Sequence, residues 1–393
     1  MITDVLAQAL VNSFEVLEIE LELDEIQMER PASRTHGDWS SNVALVRAKQ
    51  MGHVPRELAE TLVRSMQEAR IELVDKMEVA GPGFINFFLS PKWLHQVMID
   101  VLELGEAGYA RSAIGEGKSV NLEFVSANPT GPLHAGGGRW GAYGDSLARI
   151  FRRCGYATTT EYYVNDRGIQ TELFGASLMA RREGRDIPDD GYAGEYVSEW
   201  ADEMPPNADP IVWGLERALT EVRDALASMN VTFDLWASEK ALVSSGAMDQ
   251  VISRLRAEGW LVENDGALWL RTTAFGDEKD RVLVKSDGEP TYFVPDIAYH
   301  EQKFGRGDLV IDILGADHHG YVPRMSAAMQ MLGHPPEAYE AIIGQNVTLV
   351  REGKEIQLSK RTGTMVEVSE LIEAVGPDVA RFAYLLQSID TRQ

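Results

Sequence analysis

The sequence predicts an α/β protein: a doubly wound parallel sheet, split by an insertion and preceded by a small α/β domain. From Val120 onward, β-branched and aromatic runs alternate with amphipathic segments, which is the βαβ rhythm of a parallel sheet. Acidic, helical stretches interrupt that rhythm. A separate helix-and-strand pattern precedes it. We therefore expect an N-terminal domain over 1–110, two halves of the sheet domain over 111–184 and 276–393, and a mainly helical insertion over 185–275.

Composition places the chain among ordinary globular proteins. Its 393 residues are 44% hydrophobic and 25% charged, enough for two or three domains with proper cores. The net charge of −24 argues against nucleic-acid binding over the whole surface, but leaves open one locally basic groove and suits a cationic substrate.

The cellular context follows from what the sequence contains. A single cysteine, Cys154, excludes internal disulfides and cysteine-cluster metal sites. No run approaches the roughly 18 uncharged apolar residues of a membrane helix. The acidic, amphipathic N-terminus does not resemble a secretory signal. We expect a cytoplasmic protein that does not contact a membrane.

The elements of the N-terminal module can be assigned in order. "PRELAETLVRSMQEA" has apolar residues at helical spacing, and "MEVAGPGFINFFLS" is strand-like on both sides of a Gly-Pro-Gly turn. The helical segment "PKWLHQVMIDVLELGEAG" then leads to the second region.

The sheet domain shows a regular succession of elements. Before the insertion, the strands "VNLEFV" and "ATTTEYYVN" alternate with the helices "GRWGAYGDSLARIFRRCG" and "QTELFGASLMARR". After it come the hairpin "RVLVKSDGEPTYF", with an Asp-Gly turn, the strand "DLVIDIL", the helix "GYVPRMSAAMQMLG" and the strand "AYEAIIGQNV".

The first motif with chemical content is "HAGG", His134 to Gly137. Glycines between a strand and a helix let an anion approach the backbone N–H groups at the helix N-terminus, and a histidine adds a donor for charge developing on a phosphate. Neither a dinucleotide-binding G-x-G-x-x-G nor a phosphate loop ending in Gly-Lys-Ser/Thr is present. Taken alone, the motif is weak, because most turns of this kind between a strand and a helix are ordinary tight turns.

The second motif is "QLSKR", which contains Ser359, Lys360 and Arg361. It lies between a hairpin-like segment and a helical one. A loop with adjacent Lys and Arg can close over a triphosphate and neutralise its transition-state charge. The alternative is a solvated basic loop.

Together the two motifs resemble the paired ATP-binding motifs of class I aminoacyl-tRNA synthetases. The surrounding blocks are similar to the arginyl-tRNA synthetase family over nearly the whole chain: "RPASRTHGDWSSNVAL", "VAGPGFINF", "NLEFVSANPTGPLH", "EYYVNDRGIQ", "LVKSDGEPTYFVPDIAYH", "LGADHHGYVPR" and "SKRTGTMVEVSELIEAVGPDVARFAYLLQS". The first two of these blocks resemble the family's N-terminal tRNA-contacting module. The resemblance implies a Rossmann-like catalytic domain.

The resemblance also implies an ATP site in which His134 and Lys360 act in catalysis. Lys360 would clamp the phosphates together with a neighbouring hydroxyl. The other ATP-binding residues that it implies are Gly136, Gly137, Gln345 beside the adenosine, Ser359 and Arg361.

It further implies an arginine pocket, formed by Glu123, Ser126 and Asn128, with Tyr292 and Asp296 recognising the guanidinium. Asp317 aligns where other members carry a glutamine that contacts substrate. The chemistry is consistent, because a planar fork of five donors needs carboxylates and an aromatic or hydroxyl partner. Tyr292 and Asp296 share one face if helical, although such a pair alone is usually just a helix start.

The run Asp317-His318-His319 invites a metal interpretation. No cysteine and no second histidine cluster accompanies it, so we assign no protein-held metal site.

Three departures from the family pattern stand out. Gly137 occupies a position where many class I enzymes carry a second histidine, and Gln357 and Leu358 replace a lysine and a methionine. The sequence also stops soon after the last motif, at "LLQSIDTRQ", where the family continues into a helical anticodon-binding domain. We expect that domain to be absent here, in either a truncated chain or a natural catalytic-core paralogue.

The function implied by the resemblance is arginine–tRNA ligase activity. ATP and Mg²⁺ would serve to form arginyl-adenylate from L-arginine, and the arginyl group would pass to tRNA(Arg); we expect a monomer. Two alternatives stay open: a paralogue that forms arginyl-adenylate for a non-tRNA acceptor, and a non-catalytic arginine- or tRNA-binding module. A nicotinamide-dependent oxidoreductase lacks its glycine fingerprint.

Overall fold

The computed structural model describes residues 2–345, 347, 349–351, 354–356 and 366–391. The chain divides into two compact units, Met1–Ala110 and Arg111–Gln393. Across the described residues, every helix is too short or too polar to serve as a transmembrane span.

The first unit packs helices on a four-stranded antiparallel sheet of order β1-β2-β4-β3. Leu10 and Phe14 of the first helix and Met66 of the third are fully buried against Ile85 and Phe87 of the sheet. The predicted helix and the predicted strand–turn–strand are both observed. The elements are α1 (Ile2–Glu15), β1 (Met28–Glu29), β2 (Trp39–Ser41), α2 (Val43–Met51), α3 (Pro55–Ala69), β3 (Val74–Ala80), β4 (Phe84–Leu89) and α4 (Lys92–Gly108).

The second unit alternates strands with helices, as the apolar runs predict. Its elements are β5 (Ser119–Glu123), α5 (Ala135–Arg153), β6 (Ala157–Val164), α6 (Ile169–Arg182), α7 (Glu195–Glu203), α8 (Pro210–Ser228), β7 (Leu235–Ser238), α9 (Glu239–Ser244), α10 (Ala247–Ala257), β8 (Leu261–Asn264), β9 (Ala267–Leu270), β10 (Arg281–Val284), α11 (Phe293–Phe304), β11 (Leu309–Gly315), α12 (Val322–Met331), β12 (Tyr339–Gly344), β13 (Leu349–Arg351), β14 (Lys354–Ile356), α13 (Val368–Val375) and α14 (Pro377–Leu385).

The centre of this unit is a five-stranded parallel sheet of order β12-β11-β5-β6-β7. Consecutive strands run from β5 outward to β6 and β7 on one side, whereas β11 and β12 lie on the other. The strand order therefore reverses at β5. A crevice outside the carboxyl ends of the strands at such a switch point is where doubly wound sheets bind ligands. The predicted α/β class, with a small α/β domain ahead of the parallel sheet, is confirmed.

The segment 185–275 differs in one respect from a separate helical insertion. It is mainly helical, but β7 lies within it and pairs in parallel with β6, so part of the segment completes the sheet. The division of the second unit at 184 and 275 stays a prediction.

Close helix–sheet packing brings α5 onto β5. A Cβ at Gly144 would lie 2.2 Å from the ring of Phe124, which is fully buried. The aromatic rings of Tyr162, Phe233 and Trp236 fill the space between β6 and the start of β7. The sheet is thereby a rigid base for the residues that follow its carboxyl ends.

Candidate active site

His134 is the residue immediately before α5. Its Nδ1 accepts a hydrogen bond from the Gly137 N–H at 3.2 Å, which caps the helix and makes Nδ1 an acceptor. The hydrogen of the neutral ring therefore lies on Nε2. An anion at this helix N-terminus would meet both an imidazole donor and the macrodipole of α5.

Tight packing explains the glycine at the fourth position of the first motif. A Cβ at Gly137 would lie 2.6 Å from Cδ1 of Leu133, which is 1% exposed. A Cβ at Gly138 would lie 2.8 Å from the hydroxyl of Tyr384, which donates to the Ala135 carbonyl at 2.5 Å. A second histidine at position 137 would therefore require Leu133 to move.

The segment after the second motif joins this turn. The Ala135 N–H donates to the Val366 carbonyl at 2.8 Å, and the Val368 N–H donates to the Leu133 carbonyl at 2.9 Å. Between them His134 and Glu367 form a β-bridge. The predicted phosphate-clamping residues Ser359, Lys360 and Arg361 lie outside the described residues.

Gln345 directly follows β12, at the carboxyl edge of the sheet. Its N–H donates to the Ile389 carbonyl at 2.9 Å, and its carbonyl accepts from Arg139 at 2.9 Å. Arg139, from the second turn of α5, is 1% exposed and also donates to the carbonyls of Ser388 at 2.8 Å and Thr391 at 3.0 Å. This one guanidinium therefore ties the motif helix, the end of β12 and the segment after α14 together.

The backbone after β5 is strained. Val125 and Ser126 have φ values of +69° and +39°, a region that β-branched residues rarely adopt. The strained turn directs Ser126 Oγ to Glu123, to which it donates at 2.7 Å, while the same oxygen accepts from the Tyr163 N–H at 3.0 Å. Strain of this kind is typical of functional sites. Asn128 follows and donates to Gln170 at 2.8 Å.

A buried ion cluster, which we define as Glu123, His300, Lys303 and Asp312, lies behind this turn. Glu123 and Asp312 are register neighbours on β5 and β11, and two adjacent carboxylates repel unless a cation separates them. Lys303, fully buried on α11, supplies that cation by contacting both: Nζ lies 2.6 Å from Asp312 Oδ1 and pairs with Glu123 Oε2.

His300 completes the cluster one turn earlier on α11. Its Nε2 lies 2.7 Å from Asp312 Oδ2, and its Nδ1 lies 2.8 Å from the carbonyl of Asp296. Both partners are oxygen atoms that accept hydrogen bonds, so the ring of His300 bridges Asp312 and the backbone of α11.

The ionisation of the cluster follows from its geometry. Burial disfavours the charged form of Lys303, but Asp312 and Glu123 outweigh it and raise the pKa to about 12. Burial likewise opposes the charge on Asp312, yet Lys303 and His300 hold its pKa well below the usual range.

A cavity of about 800 Å³ opens beside the cluster. Tyr292 and Asp296, four residues apart at the start of α11, both line it, together with Tyr163, Gln170 and Glu239. Burial raises the pKa of Asp296 to about 6, with Glu239 and Glu123 adding to the effect and His300 opposing it. The cavity thus presents a carboxyl group whose charged form is poorly solvated, for which a bound cation would be the natural partner.

Asp317 occupies a different environment. It lies on a 3-10 helix, Ala316–Tyr321, after β11, and its carboxylate is 78% exposed and 3.5 Å from His318 Nε2. Its assignment to the arginine pocket stays a prediction. Within the described ranges, no group of three or more His, Cys, Asp or Glu side chains is arranged to hold a metal ion.

Lys303, His300 and Asp312 were not among the site residues predicted from the sequence. A signal was present, because Asp312 interrupts the apolar strand "VIDIL", and a charged residue in a buried strand needs a partner. Asp296, His300 and Lys303 also follow one another at spacings of four and three, which places them on one helix face.

Comparison with known proteins agrees with this architecture. The family model "tRNA synthetases class I (R), catalytic domain" matches residues 207–381, and "Arginyl tRNA synthetase N terminal domain" matches residues 1–89. The second unit is therefore a class I aminoacyl-tRNA synthetase catalytic domain.

The similarity of the relatives is more specific. An arginine–tRNA ligase of Frankia alni is 47% identical, covering 93% of this chain and 68% of that protein, and one of Desulforamulus reducens is 43% identical, covering 94% and 69%. The chain belongs to the arginine–tRNA ligase family, as the sequence motifs predicted. The structure of Thermus thermophilus arginyl-tRNA synthetase shares the fold, with a TM-score of 0.71 at 19% identity, over 100% of this chain and 76% of that one. Neither the non-tRNA paralogue nor the non-catalytic module is supported by these similarities.

Proposed function

We propose that this chain activates L-arginine with ATP and transfers the arginyl group to tRNA(Arg). The observation that carries the proposal is that two complementary sites share the carboxyl edge of one sheet. His134 caps the helix after β5 and suits phosphates, whereas Asp296 and Tyr292 line a cavity that suits a guanidinium.

In the first step, an arginine carboxylate oxygen attacks the α-phosphorus of ATP. A new P–O bond forms, the bond to the β-phosphate oxygen breaks, and pyrophosphate leaves. The Nε2–H of His134 and the N-terminus of α5 would stabilise the phosphate charge, and Ser359, Lys360 and Arg361 would hold the outer phosphates. Gly136 and Gly137 keep the backbone accessible to ATP, and Gln345 lies beside the adenosine.

In the second step, a hydroxyl of the terminal ribose of tRNA attacks the arginyl carbonyl. The ester bond forms and AMP leaves with the electron pair of the mixed anhydride. No side chain needs to act as a covalent nucleophile, because positioning and electrostatic stabilisation are sufficient for both displacements.

Arginine recognition would centre on Asp296. A guanidinium beside this carboxylate would lower its raised pKa and keep it ionised. Tyr292, whose side chain is 85% exposed, lines the same cavity. Glu123, Ser126 and Asn128 would orient the remaining groups of the amino acid from the strained turn, and Asp317 would contact substrate from the edge of β11.

We include Mg²⁺ as part of the ATP substrate. The described residues provide no ligand group of their own for it, so the ATP phosphates would hold it, and no step above depends on it. A cytoplasmic location and a monomeric state are also proposed, on the sequence alone. Light scattering of the purified chain tests the monomer.

The deciding experiment is arginine-dependent ATP–pyrophosphate exchange, with and without tRNA(Arg), followed by aminoacylation. Exchange that requires arginine and is lost in Lys360→Ala supports the proposal, and charging of tRNA(Arg) completes it. Exchange without any charging would favour a different acceptor. Absence of arginine binding by calorimetry would contradict the proposal itself.

A further inference from the structure

We propose that Lys303 is a positioning residue of the arginine pocket: as the shared cation of the buried ion cluster, it fixes Glu123 in the orientation that arginine binding requires. This inference rests on the proposed function. Lys303 does not line the cavity. We expect it to affect the affinity for arginine but not the affinity for ATP.

Burying the ammonium group of Lys303 costs hydration free energy. A lysine with no exposed surface on α11 requires compensation for its lost hydration, and Lys303 finds it in two carboxylates from neighbouring strands. A hydrophobic residue in its place would leave Glu123 and Asp312 buried beside each other without a cation. Lys303 therefore holds both carboxylates in their observed positions.

Lys303 contacts Glu123 directly. Glu123 Oε1 accepts from Ser126, and its other oxygen pairs with Lys303, so the carboxylate is held from both ends. Its side chain is only 12% exposed. Glu123 is thus oriented by contacts inside the protein, whereas Asp296 is the carboxylate that lines the cavity.

Side-chain contacts also connect Glu123 with the backbone of Asp296. Asp312 joins Lys303 to His300, and His300 holds the carbonyl of Asp296 through Nδ1. Tyr339 donates to the same Asp312 oxygen as His300, at 3.1 Å. One hydrogen-bonded chain therefore runs from Glu123 on β5 to the first turn of α11, where Asp296 lines the cavity.

The test measures the dissociation constants of arginine and ATP by calorimetry for wild type, Lys303→Met, Glu123→Gln and the double variant. Removing one partner of a buried charge pair commonly costs at least about tenfold in affinity at a site that depends on it. We expect a loss of about tenfold or more for arginine in Lys303→Met, with ATP binding unchanged. If Lys303 acts through Glu123, the double variant binds arginine no worse than Glu123→Gln.

The control is Arg281→Met, which breaks a bidentate pair with the buried Asp277, at 2.6 and 2.7 Å, on the β8–β9–β10 sheet. It should lower the melting temperature but leave arginine affinity as in wild type. Should Lys303→Met fail to fold, the comparison of the double variant with Glu123→Gln decides alone.

Three outcomes would overturn the inference but leave the proposed function intact. Lys303→Met could lose arginine and ATP affinity equally, or keep its arginine affinity unchanged. The double variant could bind arginine a further tenfold more weakly than Glu123→Gln. A wild-type chain that does not bind arginine would overturn both.

Discussion

The charge on Asp296, which we propose to bind the guanidinium of arginine, has opposite effects on arginine binding and on folding stability. The pKa of Asp296 is raised from 3.8 to about 6, mainly by burial, so the folded state holds this proton more tightly than the unfolded state does. The difference destabilises the fold by up to about 3 kcal/mol at pH values above 6, and the penalty disappears below pH 4. A carboxylate kept at such a cost is expected at a site that binds a cation.

We predict that Asp296→Asn abolishes detectable arginine binding while leaving the melting temperature at pH 7.5 equal to wild type or a few degrees higher. The amide is nearly isosteric but carries no charge to desolvate. Differential scanning fluorimetry and calorimetry measure the two effects. Asp308→Asn is the matched control, because the pKa of Asp308 is shifted in the opposite direction. Hydrogen bonds from the Ser119 side chain and backbone lower that pKa, so removing the Asp308 carboxylate should not raise the melting temperature.

The same raised pKa predicts a pH dependence of arginine binding. The ionised form of Asp296 is the proposed partner of the guanidinium. The affinity for arginine should therefore be constant above pH 7 and fall as the pH drops through 6, by about tenfold at pH 5. Calorimetry near pH 6, in two buffers of different ionisation enthalpy, should also detect proton release on binding. A flat affinity profile between pH 5 and 7.5 would contradict the assignment of Asp296 as the counter-ion.

At the level of elements, α5 and α14 are joined at both ends of their contact. Arg381 on α14 pairs with Asp145 at 2.6 Å, and Arg139 on α5 donates to the carbonyls of Ser388 and Thr391 beyond α14. Only the Arg139 end also holds Gln345, the residue proposed to lie beside the adenosine. Arg381 therefore makes a contact between helices only, whereas Arg139 also contacts a residue of the proposed ATP site.

We predict that Arg139→Met lowers the melting temperature and raises the KM for ATP more than the KM for arginine. Three carbonyls lose a hydrogen bond from a buried guanidinium, and each such bond contributes on the order of 1 kcal/mol. Arg381→Met should destabilise the fold but leave both KM values near wild type. Parallel changes in both KM values for Arg139→Met would show that its role is only to stabilise the packing.

Helices with strong amphipathic patterns were predictable, and isolated tertiary pairs were not. The apolar spacing of "PRELAETLVRSMQEA" predicts a helix over the range that α3 occupies, because that periodicity is local. β7 has only four half-buried residues among acidic helices, and its place in the sheet depends on pairing with β6. Tyr292 and Asp296 line one cavity, and their role there stays a prediction. The pairing of Lys303 with Asp312 and Glu123 depends on strand register, which spacing does not reveal.

At the scale of the whole molecule, the described site residues all lie in the second unit. His134, Asp296 and the ion cluster belong to residues 111–393, which form a compact unit with their own cores. The first unit has a separate core formed by its helices and sheet. At 110 residues it is large enough to fold alone.

This organisation predicts how the chain responds to division after Ala110. Residues 111–393 alone should bind arginine and ATP within about twofold of the full chain, since every described residue assigned to the site belongs to that unit. Residues 1–110 alone should unfold cooperatively, and tRNA(Arg) affinity should fall in the 111–393 fragment, because the N-terminal module resembles a tRNA-contacting domain. Calorimetry, circular dichroism and filter binding measure the three outcomes, with Asp296→Asn in the fragment as the control for specific arginine binding. A fragment that folds but no longer binds arginine would contradict the assignment of the arginine pocket to residues 111–393.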